Sequence, residues 1–161
     1  MIILFQIFAL AFSLFAFLQK ERKKFLIINS FAIFFMSLSF YFNGGIAGAY
    51  IEFLMLFIHL TALFVSKEIE LKLKFFAPPL SLLFAFYLTD SSNPFLISFA
   101  IFFFIVGVFQ RDMIYNKLFF IVGMLFLLSY SLLLHTYIIS ISNIISLFIL
   151  SYSIYSLKYT K

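Results

Sequence analysis

Residues Phe75–Phe109 read FFAPPLSLLFAFYLTDSSNPFLISFAIFFFIVGVF, and whether this stretch crosses a membrane once or twice decides the fold. One crossing takes about 20 apolar residues, with a lower limit near 17. The 35 residues here are therefore long for one crossing and tight for two. The middle, Thr89-Asp90-Ser91-Ser92-Asn93-Pro94, is a strong turn signal. It predicts two short helices.

The stretch lies between two of four charged blocks. These are Gln19–Lys24, Lys67–Lys74, Gln110–Asp112 with Lys117 shortly after, and the tail Lys158 and Lys161. Only Glu52 and Asp90 stand outside them. The other apolar intervals are clearer. Met1–Leu18 suits one crossing, Phe25–Ser66 suits two with a turn at Asn43-Gly44-Gly45, and Leu118–Leu157 suits two with a turn near His135-Thr136-Tyr137. The expected total is seven.

Parity supports that count. With seven crossings all 11 Lys/Arg lie on one face and the other keeps only Asp90. A single crossing through 75–109 would split the basic residues between the faces. The positive-inside rule favours the first arrangement and makes the charged face cytoplasmic, with the N-terminus outside. Ile2–Leu18 has no basic residue before it and no small-residue cleavage site after it, so it reads as an uncleaved helix.

Composition agrees. Of 161 residues 65% are hydrophobic and 11% charged, and the mean hydropathy is +1.18. A soluble domain carries about a quarter charged residues, so soluble and disordered classes are excluded. The absence of cysteine excludes disulfides and thiolate metal sites. The net charge of +5 follows from the positive-inside bias and calls for no nucleic-acid partner.

An offset of 91 residues aligns the charge landmarks. Gln19-Lys20-Glu21 falls on Gln110-Arg111-Asp112, and Lys67 on Lys158. The chain reads as an all-α membrane protein arranged 3+1+3. Residues 1–66 form a first three-helix repeat, 67–91 a cytoplasmic loop and linker helix, and 92–161 a second repeat with a short tail. Three crossings would leave the second repeat inverted, and the linker helix Phe75–Leu88 restores its orientation. The repeats are then parallel. Pro78 and Pro79 are expected in the first turn of that linker helix, where proline is tolerated.

This plan resembles the SWEET sugar transporters and their half-size bacterial relatives of the PQ-loop superfamily. The local pattern is more similar still to the bacterial inner-membrane YgjV family, which carries a charged cluster after its first helix, a glycine-containing turn and a polar residue in its third helix. Gln19–Lys24, Asn43-Gly44-Gly45 and Glu52 match these features. The SWEET hinge proline has no counterpart in Ile2–Leu18, and no Pro-Gln dipeptide occurs. The resemblance implies a multi-pass protein of the bacterial inner membrane. It also implies that the third helix of each repeat supplies a polar residue to a central cavity.

Glu52 is the one acid expected at membrane depth, and a charged carboxylate at the bilayer centre costs roughly 2.5–3.5 kcal/mol on insertion scales. It is either a solute- or proton-binding group or a carboxyl held near the interface. The 91-residue offset places Glu52 on Asn143, so the resemblance implies that the two share a cavity; the alternative for Asn143 is a plain interhelical hydrogen bond. His59 follows Glu52 by about two turns, on the same face. It is a relay candidate, or a histidine bonded within the bundle. Asn29 and Gln6 read as interface residues. The serines of the last helix, Ser140, Ser142, Ser146, Ser151, Ser153 and Ser156, read as small residues at helix contacts or as a hydroxyl-lined path. His135 is expected in solvent.

No catalytic motif is present, so an enzyme is not expected, and neither is a cofactor or metal. The leading reading is a transporter or facilitator, with the substrate-binding residues Glu52, Asn143 and His59. The alternative is a non-transporting scaffold or accessory protein. Expected partners are the bilayer, a small neutral or cationic solute, and a second copy of the chain.

Overall fold

The computed structural model describes residues 1–161 except 45, 89–93, 134, 136 and 160–161. The described residues form seven helices: α1 (Ile2–Leu18), α2 (Arg22–Phe42), α3 (Ile46–Phe64), α4 (Lys67–Leu88), α5 (Pro94–Val108), α6 (Met113–Leu133) and α7 (Tyr137–Tyr159). Three are long and apolar enough to cross a membrane: α2, α6 and the Ser140–Tyr159 part of α7. Ile2–Leu18, Ala49–Phe64 and Pro94–Val108 are shorter apolar helices. At 1.5 Å per residue α5 is about 22 Å long, against a hydrocarbon core of about 30 Å.

The helix ends fall where the local chemistry changes. Asp112 caps α6, its Oδ1 accepting from the backbone N–H of Ile114 at 2.7 Å and of Tyr115 at 3.4 Å. Pro94 opens α5, a position that needs no N–H. Gly44 closes α2 with φ +79°, and its N–H donates to the carbonyl of Tyr41 at 3.2 Å. His135 turns the chain before α7 in the left-handed region at φ +54° and is exposed. The turn expected at Thr89–Pro94, including Asp90, lies outside the described residues up to Asn93.

The chain divides into two compact units, Met1–Val65 and Ser66–Lys161. In the first, α2 packs against both α1 and α3. Ala9, Ala16 and Ala32 are buried there, and small residues let helix backbones approach. Phenylalanines fill the space beside them. Phe12 stacks on Phe35 at 5.6 Å and 14°, and Phe8 lies tilted against the same ring at 5.3 Å.

In the second unit α6 packs against α5 and α7, and α4 packs against α5. Here Ala100, Gly107 and Gly123 are buried at the positions offset by 91 from Ala9, Ala16 and Ala32. Phe103 stacks on Phe126 at 5.6 Å and 10°, and Phe99 on Phe126 at 5.6 Å. These pairs too are offset by 91 from those of the first unit. α5 is more enclosed than α1: Ser98, Ile101 and Ile105 are buried where Ile7, Leu10 and Leu14 are not, because α4 covers α5.

Two expectations about α4 are corrected. Lys67–Lys74 is not a loop but the start of the helix. Its residues are good helix formers, and Glu68 and Glu70 in the first turn complement the helix dipole. Pro78 and Pro79 therefore lie mid-helix rather than in the first turn. They cannot donate to the carbonyls one turn earlier. Pro78 is buried, and its own carbonyl accepts from Ser81 Oγ at 2.7 Å.

Candidate functional site

The polar residues inside the helices fall into pairs held within each unit. In α2 the apolar stripe Phe25, Leu26 and Ile33 is buried, and Asn29 and Ser30 sit on the same stripe. Asn29 is therefore not an interface cap. Its Nδ2 lies 2.9 Å from Nε2 of the fully buried His59 on α3. The other ring nitrogen, Nδ1, lies 2.9 Å from the Met55 carbonyl. A carbonyl only accepts, so Nδ1 carries the proton and Nε2 accepts from the Asn29 amide. Both ring nitrogens of His59 are thus engaged inside the first unit.

In the second unit the corresponding helix pair is α6 and α7. Ser131 Oγ and Ser140 Oγ bond at 2.9 Å near one end. Toward the other end Lys117 is fully buried, and its ammonium donates to Ser153 Oγ. Sequence reading grouped Lys117 with the charged block before it and missed that it is buried. The signal was available. With Asp112 as N-cap, Lys117 lies one turn inside α6 on the stripe Met113, Asn116, Phe120 and Met124, all buried. Asn116 is structural on one side: its Nδ2 donates to the Gly107 carbonyl at 2.8 Å, while its Oδ1 has no partner among the described residues.

The remaining predicted residues lie in different units. Glu52 on α3 is half-buried, and no described residue bonds to its carboxylate. Asn143 on α7 is buried, and its Nδ2 has no hydrogen-bond partner among the described residues. A buried donor left unmade costs roughly 1–3 kcal/mol. Of the α7 serines, Ser140 and Ser153 are used within the bundle, Ser146 is buried, and Ser151 is exposed. Among the described residues no group of His, Cys, Asp and Glu is arranged to hold a metal ion.

The offset positions offer an internal control for Lys117 and Ser153. They correspond to Leu26 and Ala62, which are also buried. A helix pair of this kind therefore forms with apolar residues in those places. Replacing a buried polar or charged pair by well-packed apolar residues is often neutral or stabilising, by about 1–4 kcal/mol. The double variant Lys117→Leu/Ser153→Ala should therefore melt in detergent at the same temperature as the parent or higher. A lowered melting temperature would make the pair a structural necessity.

The comparisons agree with the membrane reading. A family model described as a bacterial inner membrane protein, Imp-YgjV, matches residues 1–161. No curated protein matches the chain, and no solved structure does. With its apolar helices and a family match over its whole length, the chain belongs to the YgjV family of bacterial inner membrane proteins.

Proposed function

We propose that the protein is a transporter or facilitator of a small neutral or cationic solute, with Glu52 and Asn143 as the solute-contacting groups. The observation that carries this reading is the buried Asn143 amide, whose N–H donor is left without a described partner. Desolvating such a donor is costly, and a solute hydroxyl or a water in a solute path would satisfy it. Glu52, at the position offset by 91, likewise lacks a described partner. His59 is already bonded on both sides, so its role is to hold α3 against α2.

The architecture proposed with this function is a SWEET-like pair of parallel three-helix repeats joined by α4, with seven crossings and the N-terminus outside. The matched helix starts at Arg22 and Met113 and at Ile46 and Tyr137 support it, as do the matched phenylalanine stacks. A second reading, a non-transporting accessory protein, draws support from the Asn29–His59 and Ser131–Ser140 bonds, which use polar groups to join helices.

Reconstituted vesicles separate the two. Uptake of a panel of sugars, polyols and amines is measured against pH for the parent, Glu52→Gln and Asn143→Leu. Under the transport reading Glu52→Gln inserts normally but lowers uptake or alters its pH profile. Asn143→Leu removes the unmet donor, so it abolishes uptake while leaving the melting temperature unchanged or raised. Under the accessory reading no panel member enters above protein-free vesicles.

A further inference from the structure

A cavity of about 250 Å³ opens between the start of α4 and the α5–α6 link, lined by Lys67, Glu70, Leu71, Lys74, Gln110 and Arg111, with Phe109 and Asp112 beside them. Both elements change character here. α4 is charged up to Lys74 and apolar from Phe75, while α5 is apolar to its end at Val108 and the chain turns polar at Gln110 and charged at Arg111. In a membrane such a change marks the level of the lipid headgroups.

The charges in the cavity are unequally used. Glu70 is buried and is held by Arg111, whose Nε donates to Glu70 Oε2 at 2.9 Å while Nη2 donates to the same oxygen. The Asp112 carboxylate is turned to the first N–H groups of α6. Lys74 donates at 3.0 Å to the neutral Oε1 of Gln110. That bond orients the carboxamide, leaving its N–H donors for another acceptor. Lys67 makes no ion pair with a described residue. Three cations face two acids, both acids are engaged, and two ammonium groups and a carboxamide remain as donors.

We propose that this cavity binds the phosphate of an anionic phospholipid headgroup, with Lys67, Lys74 and the Gln110 carboxamide as its donors. The lipid rather than a free anion is indicated by the adjoining wall. Leu71 lines the cavity and is 60% exposed, and Phe75, one turn on, is 69% exposed. This gives an acyl chain an apolar surface leading directly from the charged pocket. Basic pockets beside membrane helices bind acidic headgroups in this way. The assignment is independent of whether the protein transports anything.

Native mass spectrometry of the full chain, released from micelles doped with phosphatidylglycerol or phosphatidylcholine, tests it. The parent should retain phosphatidylglycerol in preference to phosphatidylcholine. Two lysine contacts to one bound phosphate, at about fivefold in affinity each, mean that Lys67→Gln/Lys74→Gln should weaken retention about 25-fold. Lys20→Gln/Lys23→Gln removes the same charge elsewhere and should leave retention unchanged. Glu70→Gln frees Arg111 and should strengthen it. Equal loss in the two lysine pairs, or equal retention of both lipids, would reduce the effect to general surface charge and overturn the proposal. So would protection by 10 mM inorganic phosphate (a concentration on the order of a typical buffer) together with no retention of phosphatidylglycerol, which would assign the cavity to a free anion.

Discussion

Gly123→Val should remove most of the folded protein from a detergent extract, and Gly123→Ala should lower its melting temperature. A Cβ at Gly123 would lie 2.6 Å from two atoms of the Phe104 ring and 3.0 Å from the Ala100 carbonyl oxygen. The carbonyl belongs to the α5 backbone and cannot retreat without moving the helix. The Phe104 ring packs against Phe120 at 5.3 Å, and Phe120 in turn stands 2.8 Å from where a Cβ on Gly107 would lie. The two glycines and two rings therefore interlock, and a shift of one ring presses on the other. Overpacking of this kind costs about 1–3 kcal/mol for a methyl-sized addition, with more expected for the branched valine. Size-exclusion profiles after stepwise heating provide the measurement. An unchanged profile for Gly123→Val would mean that α5 and α6 do not approach this closely.

The second large effect concerns Asn29 and His59. His59→Leu leaves the buried Asn29 amide without its acceptor, and Asn29→Leu leaves Nε2 of His59 without its donor. Each single change should cost roughly 1–3 kcal/mol, because a buried polar group then loses its partner. The double change removes both groups, so its cost should fall well below the sum of the singles. Interhelical hydrogen bonds measured in membrane proteins are often smaller, about 0.6–2 kcal/mol, so the sign of the coupling is the decisive result. Melting temperatures of the parent, both singles and the double supply the cycle. Additive losses would show that the two side chains do not bond, and with that the α2–α3 register built on them would fall.

Charge-poor composition and the spacing of four charged blocks sufficed to read a helical membrane protein, because a charge inside hydrocarbon is too costly to be placed at random. Glycine at 44 and proline at 94 mark ends of α2 and α5 through their own backbone chemistry, with no help from neighbours. Lys67–Lys74 was misread as a loop because its charges suggested exposure to water. Exposure does not prevent a helix, and Glu68–Lys72 pair across one turn of it at 3.9 Å.

Which polar groups meet was a different matter. Asn29 and His59 are 30 residues apart, as the bond between them records, and nothing local to either indicates the other. Lys117 and Ser153, 36 apart, are the same case. Such pairs depend on the register of two neighbouring helices, α2 on α3 and α6 on α7, which no local feature of either helix sets. The sequence by itself determined the apolar helical segments, though not the charged start of α4, and that they belong in a membrane, through local backbone chemistry and the cost of burying charge. Only the tertiary structure decided that Lys117 meets Ser153 and that His59 is already bonded, because both outcomes depend on side-chain packing between helices distant in the chain.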